Sequence, residues 1–179
     1  MQEVRSAPSS IESLLGPRER FRPASPSAWH GVEEWLGREL PADYKDFMDG
    51  YGDAILCGHL FTPHPEGSDP LLKFMQEEQR RFKEAYQEAR DIPAILKSAW
   101  DEIIPWACHD WNGDVCVLFP DPGNCQWRVA VAFRQCPEFL LFEGSVTDFL
   151  TLLLSERIIP RGWPVRETLW QSMPDSPLI

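Results

Sequence analysis

The sequence predicts an α+β fold in which helices pack against a mostly antiparallel sheet. Apolar residues recur at helical spacing through the first half of the chain and at alternating spacing through the second. Asn112-Gly113 sits between two apolar runs, a strong hairpin signal because both residues tolerate positive φ. The order of helices, strand, helix, hairpin sheet and helix is not the β-α-β alternation of a doubly wound sheet, and no internal repeat is present.

The elements follow from local signals. Ile11 to Leu15 is a short apolar helix ended by Gly16-Pro17, within an arm over residues 1–26 expected to lie on the surface of the domain. Ser25 caps the next helix and Pro26 stands at its first position. Trp29, Val32, Glu33, Leu36 and Leu40 form its stripe, and Gly37 closes it in a left-handed conformation. Pro41 opens a further helix with Tyr44, Phe47, Met48 and Tyr51 on one face and Gly52 as its stop. Ala54 to Phe61 reads as one short strand, Thr62 to Pro70 as a loop, and Leu71 to Arg90 as a helix with a charged outer face, interrupted by Pro93. Strands follow: Ile103–Cys108, Val115–Phe119, Trp127–Phe133 and Phe139–Phe142. Ser145, with Asp148 three residues on, caps a last helix that buries Val146, Phe149, Leu150, Leu153 and Leu154. Residues 27–156 form the domain, and 157–179 read as an irregular extension.

Composition narrows the function. With 43% hydrophobic and 25% charged residues, the chain can bury a core and is not disordered. No export signal or membrane-spanning run is visible, so the expectation is a cytoplasmic protein without a membrane partner. Five cysteines, none in a C-x-x-C pair, read as reduced thiols rather than zinc ligands or disulfides. Net charge is −11, from 17 basic and 28 acidic residues. Setting aside the arm's four arginines and three glutamates leaves 13 basic and 25 acidic residues in the remainder. Such a body repels nucleic acid and attracts a basic protein partner.

Several segments together resemble the SUKH superfamily, which includes the Smi/Knr group of regulators. Trp29-His30-Gly31-Val32-Glu33-Glu34-Trp35-Leu36-Gly37 runs into Leu40-Pro41-Ala42-Asp43-Tyr44-Lys45-Asp46-Phe47 and then Tyr51-Gly52. Ile104-Pro105-Trp106-Ala107, Asn112-Gly113-Asp114, Trp127-Arg128-Val129 and Phe149-Leu150 complete the ordered set. The resemblance spans about residues 10–156. It implies an α+β fold with a curved sheet, and a protein-binding role: an immunity protein that neutralises a polymorphic toxin, often a nuclease, or a regulatory or scaffold protein without a toxin partner.

Asp43, Asp46, Asp49 and Asp53 form an acidic run, broken by Lys45, that reads either as a solvated helix face and turn or as a docking patch for a basic toxin domain, joined by Asp110 and Asp114 on the hairpin turn. Reversing Asp46, Asp49 and Asp53 to Lys is expected to slow association and leave folding intact. Trp111, on the same turn, is a candidate exposed anchor. Glu33, inside an apolar stripe, reads as a partly buried carboxylate that orders a helix pair. His59 and His64 lack a third ligand, Asp110 to Asp114 lacks the Gly and Glu of a calcium loop, and no cofactor motif is present, so no metal or cofactor is expected. Cys108 and His109 are strand neighbours that point to opposite faces, and no nucleophile or phosphate-loop motif occurs, so no catalytic residue is assigned.

Overall fold

The computed structural model describes residues 11–16, 23–165 and 168–178. The arm's Arg5, Arg18, Arg20 and Arg22 lie outside them. Six α-helices, a short 3-10 turn (Trp100–Glu102) and seven strands are present among the described residues. They are α1 (Ile11–Leu15), α2 (Pro26–Leu36), α3 (Ala42–Tyr51), β1 (Ala54–Leu56), β2 (Leu60–Thr62), α4 (Leu71–Tyr86), α5 (Ala94–Ser98), β3 (Ile104–His109), β4 (Val115–Pro120), β5 (Trp127–Phe133), β6 (Glu138–Phe142), α6 (Val146–Leu154) and β7 (Trp170–Ser172). The strands form one open antiparallel sheet in the order β6-β5-β4-β3-β2-β1-β7. The α+β architecture expected from the sequence is the architecture present.

The helix ends obey the local chemistry. Ser25 Oγ accepts from Ala28 N at 3.3 Å to cap α2, and Gly37 ends it at φ +66°. Glu33 turns inward, where Oε1 accepts from Leu40 N at 2.9 Å and from Lys45 Nζ at 2.7 Å. One carboxylate thus ties the end of α2 to the start of α3, the ordering role its place in the stripe suggested. Ser145 and Asp148 cap each other's backbone N–H groups in a full capping box at α6.

Two apolar layers cover the two faces of the sheet. Alternation along β5 sends Val129, Val131 and Phe133 into one and Ala130 and Ala132 into the other. The first layer holds α2, α3, α6 and the start of α4, centred on Trp106, which meets Tyr44 and Phe149 edge-on at 6.0 and 6.3 Å. The second holds Phe82 and Tyr86 from the end of α4 with Leu96, Ala99 and Ile103. Burial on both faces explains why every residue of β4 is buried.

Three expectations are corrected. The run Ala54 to Phe61 is a hairpin, not one strand: Cys57 and Gly58 take φ of +51° and +73°, and His59 N donates to Leu56 O at 3.0 Å. The helix from Leu71 ends at Tyr86 rather than Arg90. The C-terminal extension is not wholly irregular. Its β7 adds to the sheet edge beside β1, Trp170 Nε1 donates to Tyr51 O at 2.9 Å, and Trp163 is buried in the main core.

Candidate functional site

The loop joining β3 to β4 is built as a rigid tip. His109 ends β3, and its Nδ1 accepts from Trp111 N at 3.2 Å and Asn112 N at 3.3 Å. Nε2 therefore carries the proton of the neutral ring. Asn112 Oδ1 accepts from Asp114 N at 2.8 Å, and Gly113 N donates to His109 O at 3.1 Å. Gly113 sits at φ +74°, and a Cβ there would meet Arg134 Cδ at 2.8 Å. The positive φ favours glycine here, and a side chain would also have to displace the end of Arg134. Asp110 N donates to His59 O at 2.8 Å, which ties the tip to the β1–β2 turn.

Beneath the tip lies an aromatic cluster. His59 stacks on His109, and the indole of Trp163 packs against both at centroid distances of 5.2 and 5.3 Å. Asp114 is 3% exposed and fully engaged: Oδ1 accepts from Arg134 N at 3.0 Å and Oδ2 from Trp163 Nε1 at 2.8 Å. Burial lowers the His109 pKa, opposed by Asp114 and Asp110, and burial raises that of Asp110. Burial also pushes the Cys108 thiol up to about 12. These shifts run against a thiolate–imidazolium pair.

What the tip presents outward is Asp110 and Trp111, the latter 58% exposed. Beside it a cavity of about 540 Å³ runs between the tip and the last turns of α4, lined by Arg81, Phe82, Tyr86, His109, Asp110 and Arg134 among others. A second cavity of about 550 Å³, near the start of α6, is walled by Arg128, whose guanidinium already pairs with Asp121 at 3.1 Å and Glu143 at 3.6 Å.

Of the residues singled out from sequence, Asp110, Trp111 and Asp114 come together at the tip, with Asp114 turned inward. The acidic run from Asp43 to Asp53 does not form one exposed patch, contrary to its reading as a docking surface. Asp43 Oδ2 accepts from Thr147 N at 3.1 Å and Oγ1 at 2.9 Å. Asp49 Oδ1 accepts from Ala24 N at 2.8 Å and Trp29 Nε1 at 2.9 Å. Asp53, 1% exposed, holds Ser68 through N at 3.1 Å and Oγ at 2.6 Å. Asp46 alone of the four is exposed. Asp43, Asp46 and Asp49 lie on α3 but meet different neighbours, and Asp53 lies past the end of the helix, at φ +58°.

Tyr86, Arg134 and Trp163 carry no site signal in the sequence, and His59 stands out there only as half of a metal pair with His64. Their convergence depends on strand register and on the return of the extension; Trp163 differs from the others only as an indole in a tail with no obvious core to join. His64, buried, accepts from Glu66 N at Nδ1. Among the described residues no group of three or more His, Cys, Asp or Glu is placed to hold a metal ion, and no helix is long and apolar enough to cross a membrane. A scan against protein-family models and searches of curated proteins and solved structures returned no match to this chain.

Proposed function

We propose that the chain is a protein-binding domain, an immunity protein of the SUKH type that neutralises a basic toxin domain by docking the β3–β4 tip onto it. The observation that carries the reading is the tip itself. A large aromatic, Trp111, stands 58% exposed on a turn whose backbone is held by His109, Asn112 and Asp114. An exposed indole on a turn whose backbone is already hydrogen-bonded costs little backbone entropy to bury, which suits an interface anchor. Asp110 beside it and the net charge of −11 favour a basic partner and fast encounter. The toxin identity of that partner rests on the resemblance of the ordered motifs to those of the superfamily.

The test is site-specific photocrosslinking in the native cell. A photoreactive phenylalanine replaces Trp111 in one strain and Arg90, exposed beyond the end of α4, in another. The expected result is one adduct from position 111 only, to a chain with a basic domain whose expression alone arrests growth. No adduct, or the same adducts from both positions, overturns the reading.

A further inference from the structure

The loop that carries Trp111 is held by a side chain that titrates. His109 Nδ1 accepts from Trp111 N at 3.2 Å and from Asn112 N at 3.3 Å. A ring nitrogen accepts only while it is unprotonated, so a proton on Nδ1 removes both bonds and points an N–H at two backbone N–H groups. The second N–H of the imidazolium, on Nε2, is buried without a hydrogen-bond partner among the described residues. Both are relieved if the loop lets go and water reaches the ring. The other ties of the loop run to groups that do not titrate: Gly113 N donates to His109 O, Asp110 N to His59 O and Asp114 N to Asn112 Oδ1. On its own loop the ring is faced by Asp110 and Asp114, and on the β1–β2 turn by His59. Around the cavity beside it stand Glu78, Arg81, Glu84 and Tyr86 of α4 and Arg134 after β5. Burial opposes the proton and outweighs Asp114 and Asp110, which favour it, so the held ring titrates below the ordinary 6.5.

We propose that His109 is a pH-operated latch: neutral, it fixes the β3–β4 loop and presents Trp111; protonated, it releases the loop. A ring whose pKa is lower in the held loop than in the released one takes its proton preferentially when released. Latching is therefore fully present above about pH 6.5, and below it the released fraction grows by up to about tenfold per pH unit until the held ring itself titrates. The consequence for docking rests on the reading of Trp111 as the anchor. A released loop has to be ordered again on binding, so a complex formed at neutral pH weakens in acid.

The test uses the whole chain, labelled with nitrogen-15 and without a partner, so its outcome is separate from that of the docking reading. Imidazole nitrogen shifts between pH 8 and 5 give the protonation state of His109, and backbone order parameters give the freedom of Trp111 and Asn112. At pH 8 both residues are expected near the rigid value of about 0.85. As His109 takes its proton they are expected to fall below about 0.6, with the strand amides of β4 unchanged. His109→Asn supplies a carboxamide oxygen that accepts from the same two N–H groups and does not titrate, so its loop is expected to stay ordered at pH 5. Loop order unchanged in the parent while His109 protonates, a His109 still neutral at pH 5, or the same loss of order in His109→Asn overturns the proposal. Should the variant fail to fold, the parent series alone decides between the first two outcomes and the expected one.

Discussion

The imidazole of His59 lies flat against that of His109, centroids 4.4 Å apart and planes 23° apart. Pairing of Leu60 with His109 in the β2–β3 register sets the two rings side by side, and Trp163 covers them. A proton on the His109 ring would place a charge in a buried aromatic stack.

Stability should therefore fall with acidification. Burial depresses the folded pKa of His109 below the ordinary 6.5, so the unfolded chain binds the proton first as pH drops. Stability is fully present above about pH 6.5 and is lost as pH falls toward the folded pKa, with a slope approaching about 1.4 kcal/mol per pH unit. Asp110, raised by burial, acts in the opposite sense only in the window that opens at 3.8. Urea midpoints between pH 5 and 8 check this. His109→Gln should flatten the curve, and a parent curve already flat there would contradict it.

Charge reversal should separate Asp46 from Asp49. Asp49→Lys loses the bonds from Ala24 N and Trp29 Nε1 and should cost about 2 kcal/mol or more. Asp46→Lys, on the exposed face of α3, should cost less than about 1 kcal/mol. Equal denaturation midpoints for the two variants would show that Asp49 is not a structural carboxylate. Joint reversal of Asp46, Asp49 and Asp53 is accordingly a folding mutation, not the clean probe of association expected from the sequence.

The C-terminal extension should stabilise the domain. Trp163→Ala removes a 5% exposed indole and leaves Asp114 Oδ2 without its donor. The expected loss is about 3–5 kcal/mol, as for other aromatic truncations in cores. Trp163→Phe keeps much of the packing and should fall between. A midpoint unchanged in both variants would place Trp163 outside the core.

Tyr44→Phe should be tolerated or stabilising. Tyr44 is buried in the core against Trp29 and Trp106, and its hydroxyl has no partner among the described residues. Removing an unsatisfied buried hydroxyl is expected to change stability by no more than about 1 kcal/mol in the unfavourable direction. A larger loss would reveal a bond to that oxygen.

Much of the fold is legible because its signals are local. Ser25-Pro26, Gly37, Pro41 and the Ser145–Asp148 box mark helix ends by chemistry within one turn, and Asn112-Gly113 marks its hairpin the same way. The β1–β2 hairpin hides because Cys57-Gly58 turns inside an otherwise apolar run. β7 hides because three residues carry no period; only pairing with β1 makes them a strand. The candidate site is half legible for the same reason. Asp110 and Trp111 follow from the turn, whereas the inward facing of Asp43 depends on Thr147, 104 residues away.

The docking role of the tip is tested most directly by the affinity of the purified crosslinked partner for Trp111→Ala, beside Asp46→Lys as a surface-charge control. Loss of an anchor of about 2 kcal/mol raises Kd about 30-fold. The account predicts at least that rise for Trp111→Ala, mostly in the dissociation rate, with an unchanged melting midpoint, and for Asp46→Lys only a slower, salt-sensitive association. A Kd unchanged by Trp111→Ala would contradict it.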